Sequence, residues 1–547
     1  MKKIPAAVMA AALIACPFTS AFAKGTDAAP SGKTGGVIIE QGASSENYLA
    51  QSAGEAPSLP TEYSSVEMGY VTPVKNQGMQ NTCIFFSGIA AMESALLKNG
   101  YGEYDLSEEH ANYWASKRND GTGWQRDRVN DGAYPYTAYG YLTTGGVVAD
   151  SDLPYMSRTE NYFEELTPIE PLFYAGGIKL LSGPALDAAD FKTAIMENGG
   201  VVASFALSNN YLNQNSNSFF CGVTLPTSEL ALYAHSVFVV GWDDNYPKEN
   251  FKSGAQPQNN GAWLIKNSWG SRFSYIWVSY EDKYLGAEIF GGNYAINDII
   301  KNHTCNELLR VDSYGTIYNM EFCDDNNNNI TDAVFINTFD FPKEMPSISS
   351  VEFSTQNIGA DYTIYYIPVS DGTPTDDESK WTRLTGGTIS YAGTHNISFE
   401  PYTVPDAQGA IGVKITTKDG SAAAIGCCEW LGNYEAGEFD MLPRTLDNRS
   451  FVVTNDNSRS LTDYYGSQGD NIGGNFTIRA VANVRTGDVN KDGSITLVDA
   501  IMLQKHSVGS IELDGDILEY VADIDKSGKI TLYDAILLQK TAVSITA

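Results

Sequence analysis

Apolar and polar positions along the chain fall into successive textures. From Ile84 to Leu97 apolar and small residues run almost unbroken until Asn99-Gly100, which predicts a buried helix with a glycine stop. Ala234 to Trp242 (AHSVFVVGW) is apolar, β-branched and short, the pattern of a strand covered on both faces, and Trp263-Leu264-Ile265-Lys266 predicts a second one. Helical patterns dominate before Val201 and strand patterns after it. From about residue 305 to 485 short β-rich runs take over, among them Ala333–Ile336, Val351–Phe353, Tyr362–Ile367 and Gly412–Ile415. Turns of Gly, Asp, Asn and Pro separate them, which predicts an all-β sandwich. Two helices close the chain, LVDAIMLQKH from Leu497 and LYDAILLQKT from Leu532, each behind an acid-rich loop.

At 547 residues the chain has room for three or four domains. Its first 23 residues read as an export signal: Met1-Lys2-Lys3, an apolar stretch Ile4–Ala15, then Ala21-Phe22-Ala23 as the cleavage site. Leu13-Ile14-Ala15-Cys16 also resembles a lipoprotein box, but Pro17 follows that cysteine awkwardly, and cleavage after Ala23 is the expectation. Residues 24–57, rich in Ala, Gly and Ser, read as a flexible leader. No later apolar stretch reaches membrane-spanning length, so the expectation is a secreted, extracellular chain without a membrane span. A net charge of −31 excludes nucleic acid as a natural partner. Of the seven cysteines, Cys305 and Cys323 are spaced for a bridge, whereas adjacent Cys427-Cys428 are not both ordinary bridge members.

Cys83 carries the candidate chemistry. It opens the first predicted helix, where the positive end of the dipole favours thiolate over thiol. Gln77 lies upstream with an amide able to donate to an oxyanion near the sulfur. Among five histidines, His235 lies in a predicted buried strand, and Asn267 follows the neighbouring strand, where it can orient the imidazole. His110, His303, His395 and His506 lack such company and read as structural or surface residues.

VTPVKNQG before Cys83, AHSVFVVGW, LIKNSWG and the post-helix LSEEH (Leu106–His110) together resemble the papain-like cysteine peptidases, over about residues 58–300. The resemblance implies an α+β fold of a helical and a β part, needing no catalytic cofactor and taking a polypeptide substrate. It makes Cys83 the nucleophile, His235 the general base and acid, Asn267 the orienter, and Gln77 the oxyanion donor with the Cys83 N–H. Trp269 becomes a shield over the His–Asn pair, and Asp131-Gly132 the wall of the substrate cleft. Two positions depart from the family: Gln80 stands where a cysteine usually forms a structural disulfide, and Ile84 where an aromatic flanks the nucleophile. The leader is too short for the family's long helical inhibitory segment, so any self-inhibition uses another device.

The acid-rich loops are duplicates. Asp488, Asn490, Asp492, Ser494, Thr496 and Asp499 occupy the alternating ligand places of a calcium loop, and Asp523, Asp525, Ser527, Lys529, Thr531 and Asp534 occupy them again. Gly493 and Gly528 stand at the sharp turn. The pair resembles a type I dockerin over residues 486–547, which implies a small α module, two Ca2+ ions and a cohesin domain on a scaffold, or cellulosome, as partner. Leu497, Val498, Leu532 and Tyr533 become its partner-facing residues. The β-domain, residues 305–485, looks similar to the lectin-like domain that follows some bacterial papain-like peptidases, with carbohydrate or protein as its ligand. Asp324–Asn329 reads as a polar loop rather than a further calcium loop. The expected function is a secreted, scaffold-borne cysteine endopeptidase. The alternatives are a scaffold-bound binding protein with an inactive or latent peptidase domain, and an amidase of bacterial cell-wall peptides.

Overall fold

The computed structural model describes residue 37 and residues 58–116, 123–124, 126, 131–158, 166–185, 187–322, 328–428, 449–454, 457–460 and 475–546. The export signal with Cys16, all of the leader except Val37, Cys323 of the expected bridge, and most of the 324–329 loop lie outside the described residues.

The first helix spans Cys83–Lys98, and every residue from Cys83 to Leu96 is buried. A helix apolar on all sides must be covered on all sides. Here the sheet covers one side and the helices Glu108–Trp114 and Pro135–Gly140 pack on others. Asn99 and Gly100, the latter at φ +79°, end the helix as expected. Strand Ala234–Asp243 runs through the domain centre, antiparallel to Val201–Ala206 on one edge and Ala262–Lys266 on the other. The expectation that strands begin at Val201 needs correction. Phe173–Leu181 is already a strand, pairing with Asn293–Lys301. Its Ala175-Gly176-Gly177 centre weakens the β signal, and sheet pairing overrides that local preference.

The β-domain draws on three sheets around one core that includes Phe335, Phe353, Ile364, Ile411, Ile425 and Ile478. One of its sheets does not stop at the domain edge. Strand Gly393–Thr403 pairs with Phe173–Leu181 through Gly393↔Lys179 and Thr394↔Ile178, so a thirteen-stranded sheet runs from the β-domain into the peptidase part. Only glycine fits the junction: Gly393 has φ +129°, and a Cβ there would collide with the Ile178 carbonyl oxygen. Beside the seam, buried Arg479 grips Asp312 through two hydrogen bonds of 2.9 and 2.6 Å. The same guanidinium pairs with Glu352 and donates to the Thr143 carbonyl of the peptidase part at 3.1 Å.

Helices Leu497–Ser507, Gly515–Tyr520 and Leu532–Thr546 close around Ala500, Leu503, Ile517, Val521, Ala535 and Leu538, together with Cys305 and Val484 from the body. This terminal module is docked rather than loosely tethered. His303 stacks on Tyr520 with centroids 3.7 Å apart, and Lys491 Nζ donates to the Thr304 carbonyl at 3.0 Å.

Candidate active site

Helix Cys83–Lys98 and strand Ala234–Asp243 bring Cys83 and His235 to one place. The Cys83 sulfur accepts the Ser236 backbone N–H at 3.3 Å, across the helix–strand contact. His235 Nε2 lies 2.8 Å from Asn267 Oδ1. An amide oxygen only accepts, so Nε2 carries the proton and Nδ1 is left as the ring's basic nitrogen. Asn267 is itself fixed: its Nδ2 donates to the Phe273 carbonyl at 3.1 Å, and its Oδ1 also accepts the Ser268 N–H at 2.9 Å. The Trp269 ring lies over the imidazole, centroids 5.0 Å apart.

Gln77 is held from both ends. Its Oε1 accepts the Ser268 hydroxyl at 2.5 Å, and its Nε2 donates one hydrogen to the Gln80 carbonyl at 2.9 Å. The second amide hydrogen is the one suited to an oxyanion. Thr82, before the helix, makes no side-chain cap; its hydroxyl pairs with Tyr155 OH at 3.0 Å. The Cys83 and Ile84 N–H groups act on the sulfur, while those of Phe85 and Phe86 donate to the Thr82 carbonyl.

The electrostatics differ from the expected thiolate. Cys83 is fully buried, and burial pushes its thiol up to about 12, against N–H bonds from Ser236 and Ile84 and the charge of Arg126. Burial likewise pulls His235 down to about 4, against its bond to Asn267. In this state the pair is neutral thiol and neutral imidazole; the helix dipole does not outweigh desolvation. Val37 lies beside the predicted cleft. It is buried and forms a parallel β-bridge to Ala133, next to the predicted cleft wall Asp131-Gly132.

Several site residues were not singled out from the sequence. Lys75 Nζ, two residues before Gln77, meets Glu93 at 2.7 Å, Asp105 at 2.7 Å and Glu108 at 3.1 Å. Lys266, one before Asn267, donates to Thr72 Oγ1 at 3.0 Å, and Thr72 donates to Glu93 Oε2. This buried network ties the oxyanion loop and the Asn267 strand to the helix that begins with Cys83. Charged residues inside otherwise apolar runs (Glu93 in the helix, Lys266 in LIKNSWG) were the available signal. Arg126 is the other addition: its guanidinium donates to the carbonyls of Gly132 at 2.8 Å and Asp131 at 2.9 Å.

In the terminal module the first loop is closed by hydrogen bonds and the second gathers its carboxylates. Asp488 accepts from Asp492 N at 3.1 Å and Gly493 N at 2.8 Å, and Asp499 closes the loop on Asn490 N at 3.1 Å. Asp523, Asp525 and Asp534 each present an oxygen within 4.8 Å of the others. Gly493 and Gly528 sit at φ +85° and +77°. Asn490, Asp492, Ser494 and Thr496 line the first loop, and Ser527, Lys529 and Thr531 the second. The donors fit Ca2+: hard oxygens, no sulfur or imidazole. Leu497, Val498, Leu532 and Tyr533 are 47–55% exposed. Ile501 and Ile536, at matching places in the repeat, extend each apolar stripe.

Comparison with known proteins follows the same three parts. Residues 59–284 match the papain family cysteine protease domain, residues 310–482 the lectin like domain, and residues 486–541 the dockerin type I domain. The solved structure of the clostridial cysteine protease Cwp84 after propeptide cleavage is 30% identical, covering 77% of this chain and 99% of its own, with a TM-score of 0.65. The chain belongs to the papain family of cysteine proteases. A second structure, the cysteine protease and lectin-like domains of Cwp84, a surface layer associated protein of Clostridium difficile, is 29% identical. It covers 79% of this papain-family chain and 91% of its own, with a TM-score of 0.66. Plant relatives match the peptidase part. The probable cysteine protease RD19C of Arabidopsis thaliana is 26% identical over 217 residues, 39% of this chain. Cysteine proteinase 1 of Zea mays is 27% identical over 237 residues, 41% of this chain. The chain spans only 53% and 58% of the lengths of these two curated relatives.

Proposed function

We propose that this chain is a secreted cysteine endopeptidase carried on a cohesin-bearing scaffold by its dockerin. The observation that carries the reading is the 2.8 Å contact of His235 Nε2 with Asn267 Oδ1, on a histidine whose strand neighbour Ser236 donates to the Cys83 sulfur. With Nε2 committed to Asn267, Nδ1 is the nitrogen that takes the thiol proton. The Cys83 thiolate then attacks the carbonyl carbon of a peptide bond. The oxyanion that forms is met by the Gln77 amide and the Cys83 N–H. The imidazolium returns its proton to the departing amine, and a water deprotonated by His235 hydrolyses the remaining thioester.

The neutral, buried pair and the Val37–Ala133 bridge fit a latent form of the same enzyme, in which Val37 pairs beside the cleft wall. The relative solved after propeptide cleavage supports that reading, and the surface-layer association of Cwp84 supports an extracellular setting. In the dockerin, Asp488, Asn490, Asp492 and Asp499, and Asp523, Asp525 and Asp534, would hold Ca2+, which neutralises their charge and locks each loop onto its helix.

The test is hydrolysis of a mixed fluorogenic peptide library before and after cleavage between Val37 and Leu59. The expected result is turnover that rises on cleavage, disappears in Cys83→Ser, and falls by roughly 100-fold or more in Asn267→Ala, on the scale of a lost orienting group. Turnover that survives Cys83→Ser would rule this mechanism out.

A further inference from the structure

We propose that Arg126 is a positioning residue for the peptidase reaction, whose guanidinium holds the substrate-binding wall of the cleft at its working distance from Cys83. The inference rests on the endopeptidase reading and adds to it a residue outside the Cys–His–Asn–Gln set.

Arg126 is buried and reaches three parts of the fold at once. Nη2 donates to the Asp131 carbonyl at 2.9 Å and Nε to the Gly132 carbonyl at 2.8 Å, gripping two consecutive peptide groups of the wall. Nη1 donates to Asn112 Oδ1 at 2.7 Å, anchoring the grip in helix Glu108–Trp114. The guanidinium plane lies over the Phe85 ring, 4.9 Å from its centroid, in the first turn of the helix that begins with Cys83. A planar fork with fixed N–H directions orients two successive carbonyls; an ammonium on a flexible stem does not. The next residue, Ala133, pairs through its backbone with Val37 in a parallel β-bridge, so this edge takes extended chain. Fixing Asp131 and Gly132 therefore fixes the edge that an extended peptide meets. Gln80, on the loop before Cys83, accepts the Arg158 N–H at 3.0 Å, and among the described residues Cys83 is a free thiol. The Arg126 charge also favours the thiolate of Cys83, against burial.

The experiment compares wild type, Arg126→Lys and Arg126→Met as leader-cleaved full chains. Two reagents separate the roles: a peptidyl epoxide that must lie along the wall, and iodoacetamide, which needs only the sulfur. For Arg126→Lys the expected result is a KI for the epoxide roughly ten-fold weaker, the scale of a lost charge-assisted hydrogen bond, with maximal inactivation rate and iodoacetamide rate within about two-fold of wild type. Arg126→Met should weaken KI at least as much and also slow iodoacetamide. Circular dichroism and melting identify a variant that has not folded, and Arg126→Lys carries the test if Arg126→Met fails there. Unchanged KI in folded Arg126→Lys overturns the proposal. A wild-type Cys83 inert to both reagents overturns the endopeptidase reading, and this role with it.

Discussion

Single residues here take their properties from burial more than from type. His395 shows this apart from the active site. It stacks on Tyr391 and Phe353, its Nε2 lies 3.0 Å from the Tyr391 carbonyl, and burial pulls it down to about 4 despite that bond. A histidine whose folded pKa lies below its unfolded 6.5 binds fewer protons when folded. Its stabilising contribution is therefore complete above pH 6.5 and is lost as pH falls toward 4. Denaturant unfolding at pH 7 and pH 4.5 should show wild type losing about 2 kcal/mol more than His395→Phe. An equal loss in both chains would mean that this imidazole is not held neutral. The same desolvation explains why Cys83 and His235 are neutral together: with both groups buried, neither charge has water to support it.

At the scale of elements, a chain with three recognisable parts is joined by a sheet seam as well as by its sequence. Gly393 stands at the only described pairing between the β-domain and the strand Phe173–Leu181. Gly393→Ala places a methyl group against the Ile178 carbonyl and an L-residue at φ +129°, and should lower stability by about 2–3 kcal/mol. Thermal melting measures the loss, and hydrogen exchange should locate it at residues 173–181 and 393–403. A melt like that of wild type would show that the seam yields without cost. The elements themselves were mostly legible in the sequence: helix Cys83–Lys98, strand Ala234–Asp243 and the two module helices follow their apolar patterns closely. The seam was not, because Gly393-Thr394 carries no apolar signal and its partner lies far away in sequence. Strand Phe173–Leu181 was hidden for a related reason, its paired glycines being poor strand formers that only the neighbouring strands hold in place.

At the scale of the molecule, a peptidase part, a β-domain and a dockerin are packed together. Lys491 and Gly493 of the first loop rest on Thr304 and Lys343 of the body, while the apolar stripes from Leu497 and Leu532 stay open. Calcium chelation should melt the module's helices and abolish binding to a cohesin, leaving peptide hydrolysis within about two-fold of its value. Calorimetry and the hydrolysis assay run side by side check both halves; loss of hydrolysis on chelation would show that the module supports the active site. The candidate site was legible at Cys83, His235, Asn267 and Gln77, since motif-sized clusters surround each of them. Arg126 and the Lys75–Glu93–Glu108–Lys266 network were not, since their roles depend on which backbone carbonyls and carboxylates the fold turns toward them.

The most direct measurement is mass spectrometry of the leader-cleaved chain after reaction with a peptidyl epoxide. A single adduct is expected, on Cys83, and none in His235→Ala. No adduct on folded protein, or one that forms equally well in His235→Ala, would contradict the assignment of Cys83 and His235 as an activated pair.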